Sequence, residues 1–190
     1  MLSLALVYAT TVARSQMDIL KSRASRYENL IEIGNMMSGP RLQPFQQRLA
    51  TNLDGIESMS LSSNSIASGY FTELAIEHPD GTEERYPELG FDTDTSFFST
   101  MHIHLVEGLQ PADALKKYGT SFYINERYAR LKNVSSEDFG QKTLQDILPR
   151  VRVKYILTGM IENYPTASLQ KEINPQRITV RDSGDTYLGQ

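Results

Sequence analysis

Alternating hydrophobic and polar residues predict several strands in this chain. Arg150–Ile161 (RVRVKYILTGMI) alternates most strongly, and we expect it to form a central strand. Ser121–Asn125 (SFYIN) is typical of a buried strand, and Ile178–Val180 indicates another short one. Two more strands are expected, at the serine-rich stretch Ile56–Ser68 and at Ile103–Val106.

The clearest local signal is a β-hairpin. Extended runs at Gly69–His78 and Glu83–Leu89 flank the tetrapeptide PDGT at 79–82. Proline presets the backbone angle φ of such a turn, and glycine accepts a positive φ. We expect this turn to project from the sheet. One face of the first strand should carry Tyr70, Thr72, Leu74 and Ile76, and the other Glu73 and Glu77.

Helices are predicted between the strands from their start and stop residues. Pro44–Asn52 is one, and Pro111 and Gly119 bracket a second. Glu126–Leu131 is expected to follow the buried strand directly, and short helical turns are expected within Asp94–Met101 and after Ser135. Because strands and helices mix without a regular βαβ repeat, the predicted fold class is α+β.

The first residues of the chain carry no charge. Met1–Ala13 (MLSLALVYATTVA) is too short to cross a bilayer alone, since a span needs about 20 apolar residues. It also lacks the positive flank of a secretory signal. Two interpretations stay open, the outer end of a transmembrane helix and a buried helix of a soluble bundle.

A heptad-like stripe continues from this uncharged run. Its positions are spaced alternately by four and three residues: Leu6, Thr10, Ala13, Met17, Leu20, Ala24 and Tyr27. Charged residues fill the other faces from Arg14 onward. The pattern predicts one helix that runs from an apolar head into a polar, amphipathic stalk.

Composition excludes several classes of function. The 190-residue chain has 19 basic and 23 acidic residues and a net charge of −4, whereas nucleic-acid binding needs a clustered positive excess. It has no cysteine, which excludes disulfides, thiolate metal sites and cysteine nucleophiles. With 39% hydrophobic residues, it has the composition of an ordinary folded protein.

Acidic residues are concentrated in the hairpin region. Between Gly69 and Asp94 there are eight acids and a single base, Arg85. Such a run usually marks a solvated sheet face. The alternative is a surface that contacts a cation or a basic partner, and the residues predicted for that contact are Glu77, Asp80, Glu83 and Glu84.

Motifs for chemistry are weak. His102 and His104 would point to the same side of a strand, but the sequence marks no third metal ligand. The GQKT stretch at 140–143 lacks the earlier glycine of a phosphate-binding loop, so we expect a turn that opens a short helix. We therefore predict no catalytic residue, no cofactor and no metal site.

Five segments in order resemble the extracytoplasmic (periplasmic) core domain of MacB-type, FtsX-like ABC transporter permeases. Together they extend over about three quarters of the chain. The segments are RLATNLDGIESMS (48–60), FDTDTSFFSTMHIHLVEG (Phe91–Gly108), SFYINERYARL (Ser121–Leu131), EDFGQKTLQDI (Glu137–Ile147) and YILTGMIENYPTASLQKEINP (Tyr155–Pro175).

This resemblance implies a domain outside the inner membrane, between the first and second transmembrane helices of a permease. The implied fold is α+β, with a long N-terminal helix leading into a porter-like α/β subdomain and a smaller, mainly β inserted subdomain. The implied division is 1–27 for the end of the transmembrane helix and the stalk, 28–108 plus 174–190 for the porter-like subdomain, and 109–173 for the insert.

The resemblance also implies a function without chemistry of its own. ATP hydrolysis would belong to a separate or fused cytoplasmic ABC ATPase, and this domain would move in response, for export or mechanotransmission. The permease would act as a homodimer or a pair, with a periplasmic protein as a further expected partner and no nucleic acid. The stalk residues expected to convey the movement are Arg14, Met17, Leu20, Ala24 and Tyr27.

A freestanding periplasmic or secreted binding module is the alternative, with the acidic hairpin as its contact surface. An enzyme is the least expected class. It would need Asp94, His102, His104 and Glu107 to converge in one pocket.

Overall fold

A computed structural model describes residues 29–33, 42–52, 54–65, 70–148, 153–164 and 173–182. Its helices are α1 (Leu42–Asn52), α2 (Phe97–Thr100), α3 (Pro111–Tyr118), α4 (Glu126–Leu131) and α5 (Leu144–Ile147). Its strands are β1 (Tyr70–Glu77), β2 (Glu83–Thr93), β3 (Leu105–Gly108), β4 (Ser121–Asn125), β5 (Ile156–Ile161) and β6 (Gln176–Val180). A 3₁₀ turn covers Ser136–Asp138.

The predicted hairpin is confirmed as the antiparallel pair β1–β2. Its register pairs Glu77 with Glu83, and Gly81 adopts a φ of 82°. The Asp80 carboxylate accepts hydrogen bonds from both the amide and the hydroxyl of Thr82, which fixes the turn. β6 pairs with β2 only from Leu89 onward, so residues 72–77 and 83–88 project beyond the sheet as a two-stranded ribbon.

The strands form one mixed sheet in the order β1-β2-β6-β4-β5-β3. The pairs β2–β6 and β4–β5 are parallel, whereas the β6–β4 and β5–β3 pairs are antiparallel. Together with the helices, this sheet makes the protein an α+β domain. β5 lies between β4 and β3, so the predicted central strand is interior, although the described residues 153–155 just before Ile156 are not part of it.

Helices cover both faces of the sheet. On one face, α2 and α3 pack with Phe97, Phe98 and Ala114 against residues that include Tyr123 and Ile178. On the opposite face, α4 and α5 pack a second cluster: Leu74, Phe122, Ile124, Tyr128, Ala129, Leu144, Ile147 and Leu157. All five residues of β4 are buried, as expected of a strand whose two faces both meet a core.

The helix boundaries follow the predicted capping signals. α3 begins at Pro111 and ends before Gly119, and α4 has its predicted bounds, with the Asn125 side chain accepting from the Tyr128 amide. The GQKT stretch opens α5 as expected, since Thr143 and Asp146 form a reciprocal capping box. Ser135 and Asp138 form a second such box at the 3₁₀ turn.

The prediction of a strand over Ile56–Ser68 is wrong for the described part of that range. Residues 54–65 form no strand, and Ser62 makes a single isolated bridge to Thr93. β1 already occupies this edge of β2 as far as Gly90, so only the last residues of β2 remain for pairing. The amide of Ser63 accordingly donates to the Asp92 carbonyl at 2.8 Å, and the Asp94 amide donates to the Leu61 carbonyl at 3.1 Å.

The two-subdomain layout stays a prediction. In the described sheet, β4 and β5 lie between β6 and β3. The predicted N-terminal helix and its stalk residues Arg14, Met17, Leu20, Ala24 and Tyr27 lie outside the described residues. Of the helices that are described, none is both long enough and apolar enough to span a membrane.

A close backbone approach joins β3 to β5. Gly108 adopts a φ of 116°, and a Cβ atom added there would lie 2.3 Å from the Thr158 carbonyl oxygen and 2.4 Å from the Gly159 Cα. Both obstacles are backbone atoms, so no side-chain rotation would relieve the clash. The pairing therefore requires glycine at position 108.

Replacing this glycine should destabilise the sheet edge. We expect Gly108→Ala to lower the free energy of unfolding by about 3 kcal/mol in urea titration, because backbone strain and overpacking add. Gly119→Ala is the matched control: its φ is also positive, at 72°, but nothing lies within 4 Å of an added Cβ. Equal losses for the two variants would contradict the proposed close approach.

Candidate functional site

The acidic run separates into an exposed and a buried part. Glu73, Glu77, Asp80, Glu83 and Glu84 are exposed on the projecting ribbon, which includes all four residues predicted to contact a partner. The expectation of a solvated face holds for these residues. It is wrong for Glu88 and Asp94, which are 1% and 4% exposed.

Charges on the ribbon are partly paired. The Arg85 guanidinium lies 3.0 Å from a Glu73 oxygen and 2.9 Å from a Glu83 oxygen, and His78 lies 3.5 Å from Glu84. Hydrogen bonds from Thr82 lower the pKa of Asp80 below its ordinary value of 3.8, so this carboxylate stays charged in mild acid. The ribbon therefore presents a net negative surface with a fixed turn at its tip.

The inner face of the ribbon is attached to the end of α4. Leu74 is fully buried in the core cluster beneath α4 and α5. The Lys132 ammonium donates to the Ala75 carbonyl at 2.7 Å, and burial lowers the pKa of this lysine. The Arg127 guanidinium lies 5.7 Å from the ring centre of Tyr86. These contacts tie the base of the ribbon to the body of the domain.

An ion pair buried in the sheet joins β2 to β6. The Arg177 Nε lies 2.6 Å from Glu88 Oε1, and the Thr72 hydroxyl donates to Glu88 Oε2 at 2.9 Å. Directly paired residues share a face, so this group lies on the side covered by α4 and α5. The Arg177 Nη1 also donates to the Thr179 hydroxyl at 3.3 Å.

A second charge pair lies further along the same two strands. Arg181 Nε lies 3.4 Å from Asp92 Oδ1, and its Nη2 donates to the Tyr155 hydroxyl at 2.7 Å. The guanidinium also lies 5.0 Å from the ring centre of Tyr155. Two ion pairs on one face therefore hold the parallel β2–β6 pairing.

The segment that precedes the sheet in the chain and the residue that follows its last strand both bond to β2 at or beside Thr93, the last residue of β2. We call these two segments the chain connections of the sheet. On one side, segment 61–63 bonds to β2 through the Ser62–Thr93 bridge and the adjacent amides. On the other side, the Arg181 amide donates to the Thr93 carbonyl at 2.8 Å. Residues 29–33 join the same region, because the Ser65 hydroxyl donates to Glu32 at 3.1 Å.

The Asp94 side chain stabilises this junction by hydrogen bonds. Its two carboxylate oxygens accept hydrogen bonds from the amides of Leu61 at 3.0 Å and Ser96 at 3.1 Å. Burial raises the pKa of Asp94 to about 6, although these hydrogen bonds act in the opposite direction. The sequence placed Asp94 within an acidic run and among the four residues that an enzyme would have to bring together, but it gave no sign that Asp94 is buried.

The residues considered for catalysis are not brought together by the described structure. The strand expected at Ile103 begins at Leu105, and His102 lies before it in a turn with a φ of 50°. His102, His104 and Glu107 are exposed, whereas Asp94 is buried. Within the described ranges, no three histidine or carboxylate side chains are grouped closely enough to hold a metal ion.

Comparison with known proteins shows similarity at the level of structure and none at the level of sequence families. No protein-family model and no curated protein matches the chain. The chain is similar to the crystal structure of a domain of a protein described as a permease from Porphyromonas gingivalis, with 14% sequence identity and a TM-score of 0.44. The similarity covers 77% of this chain and 58% of that chain, so this chain spans less than two thirds of that length.

Breaking the buried ion pair should be costly. We expect Arg177→Met to lower the free energy of unfolding by about 3–5 kcal/mol, because it leaves the Glu88 charge buried and unpaired. The double variant Glu88→Met/Arg177→Met should lose less than this single variant, since it removes both charges. Urea titration of the full double-mutant cycle measures both effects.

The ribbon offers a matched control. Arg85 has two acidic partners, but its side chain is 55% exposed, so Arg85→Met should cost at most about 1 kcal/mol. If Arg177→Met and Arg85→Met had equal effects, the ion pair would not hold β6 in the sheet.

Proposed function

We propose that this chain is the extracytoplasmic domain of a MacB-type, FtsX-like ABC transporter permease. In this role it stands outside the inner membrane and moves when a cytoplasmic ATPase hydrolyses ATP. Five ordered segments of the sequence support this role. In the structure these segments contribute the end of β2 and all of β3, β4 and β5, which is about half of the strand residues of the sheet.

The observation that carries the proposal is the meeting of both chain connections at Thr93. A domain inserted between two membrane helices needs its incoming and outgoing connections on the same side. Segment 61–63 and Arg181 both bond to the backbone at or beside Thr93. The arrangement supports a membrane-facing side at the carboxyl ends of β2 and β6.

The acidic tip lies at the opposite end from this junction. β2 has 11 residues from the turn to Thr93, which corresponds to roughly 33 Å at about 3.3 Å per residue. A partner outside the membrane would therefore meet Asp80, Glu83 and Glu84 first. This distance favours the ribbon tip as the contact surface. The negative charge of the tip would suit a basic periplasmic protein as the partner.

The mechanism needs a stiff path between these two ends. β2 itself forms the path, and the pairs Glu88–Arg177 and Asp92–Arg181 lock it against β6. A movement of the membrane segments would thus displace the sheet and ribbon together, as a rigid body. The ATPase would supply the energy from the cytoplasm, and the permease would act as a homodimer or a pair. In this proposal the domain carries out no chemistry.

A freestanding periplasmic or secreted binding module is the second candidate. It is favoured by one observation, the exposure of all four predicted contact carboxylates on the ribbon, which extends beyond the pairing of β2 with β6. Such a module would appear in the soluble periplasmic fraction, whereas a permease domain stays with the membrane after carbonate extraction.

Cysteine labelling tests the location directly, because the chain has no natural cysteine. We expect Lys116→Cys, at an exposed position of α3, to react with a membrane-impermeant maleimide in cells whose outer membrane alone is permeabilised. The labelled protein should remain in the carbonate-washed membrane fraction.

Ala114→Cys is the matched control on the same helix, since residue 114 is fully buried and cysteine is a small apolar replacement. It should react only after denaturation. Labelling of Lys116→Cys that required lysis of the inner membrane would place the domain in the cytoplasm and overturn the proposal.

A further inference from the structure

Among the residues that the structure describes, no cationic side chain pairs with the buried carboxylate of Asp94. The residue is 4% exposed, and its oxygens accept from two backbone amides, those of Leu61 and Ser96. The Asp94 amide returns a hydrogen bond to the Leu61 carbonyl at 3.1 Å. Backbone amides therefore contact the carboxylate in the place of the lysine or arginine side chain that normally neutralises a buried carboxylate.

Other charged groups nearby do not neutralise it. The charged or titratable residues on the elements packed around Asp94 are Glu32, Glu57, Asp92, His102, His104, Arg181 and Asp182. Arg181, the cation among them, pairs with Asp92 at 3.4 Å. Among the described ion pairs, none includes Asp94.

We propose that Asp94 is a proton-dependent clasp, which holds segment 61–63 on the carboxyl end of β2 more firmly in acidic than in neutral solution. When the clasp opens, water reaches the carboxyl group and stabilises its charged form. Protonation removes the cost of burying an unpaired charge, so acid favours the closed state.

The direction of the effect follows from the two protonation equilibria. Burial raises the pKa of Asp94 from 3.8 to about 6 when the clasp is closed, and opening returns it towards 3.8. The closed state therefore binds the proton more tightly than the open state. Its extra stability is fully present below pH 3.8 and is lost as the pH rises through about 6.

Opening the clasp would release one connection without dismantling the sheet. Segment 61–63 contacts β2 only at its last residues, whereas β6 is held by its own strand pairing and two ion pairs. The inference does not depend on where the domain resides. If the proposed function is correct, the clasp lies on the path between the membrane and the sheet.

Hydrogen exchange of the 190-residue chain tests the clasp. After correction for intrinsic exchange, the protection of the Leu61 amide should be about tenfold higher at pH 5 than at pH 8. This factor follows from a pKa of Asp94 of about 6 in the closed state and 3.8 in the open state. In Asp94→Asn this pH dependence should disappear, because an amide does not titrate. Asp146→Asn, which changes an exposed capping carboxylate, should keep it.

The Leu157 amide, bonded to the Lys142 carbonyl at 2.9 Å, reports on the body of the domain. It should exchange more slowly than that of Leu61, without the tenfold change. Equal Leu61 protection at both pH values, or greater protection at pH 8, would overturn the proposal. So would identical protection of Leu61 and Leu157 at both pH values, since opening would then be global. If Asp94→Asn fails to fold, the wild-type comparison of these two amides decides.

Discussion

The pairing of β6 with β2 is the constraint on which the rest of the structure depends. The ion pair at the start of this pairing joins Glu88 and Arg177, which are 89 positions apart in the chain. With β6 in place, β4 pairs on its far side, and β5 and β3 follow in order. A long loop must close before this parallel pair can form. A shift in register would leave the charges of Glu88 and Arg177 buried and unpaired, so the ion pair favours the observed register. The same strands then bring both chain connections to Thr93.

Local features of the fold were predictable because their physical causes are local. The turn at Asp80 and Gly81, the capping of α5 by Thr143 and the bounds of α4 depend on residues within a few positions. The sheet order and the Glu88–Arg177 pair were not predicted, since nothing near Glu88 points to a residue so distant in the chain. One signal was available: the hairpin register places Glu88 on the same face as Thr72 and Leu74. In the described part of the expected strand Ile56–Ser68, residues 56–65, no strand forms, because β1 already occupies the adjacent edge of β2 as far as Gly90.

The candidate site divides in the same way. Its exposed part, the acidic tip, was predictable from charge, since a turn between two strands projects and its carboxylates remain in water. Its buried part, Asp94 with the junction at Thr93, depends on the packing of segment 61–63 against the end of β2, which sequence pattern does not specify. The proposed function gives each part a role. The junction at Thr93 would face the membrane, β2 would connect it to the ribbon, and the acidic tip would contact a partner. The proposed role needs a base that moves as one unit with the sheet, and the ion pairs Glu88–Arg177 and Asp92–Arg181 join β2 to β6 at that base.

The most direct test of this account is the distance between two ribbon tips in the complete transporter. Spin labels on Glu84→Cys, in a chain that has no cysteine of its own, would report it by double electron–electron resonance. The account predicts that the distance distribution shifts between the nucleotide-free state and the state trapped with ATP and vanadate. An unchanged distribution in a transporter with an active ATPase would contradict it.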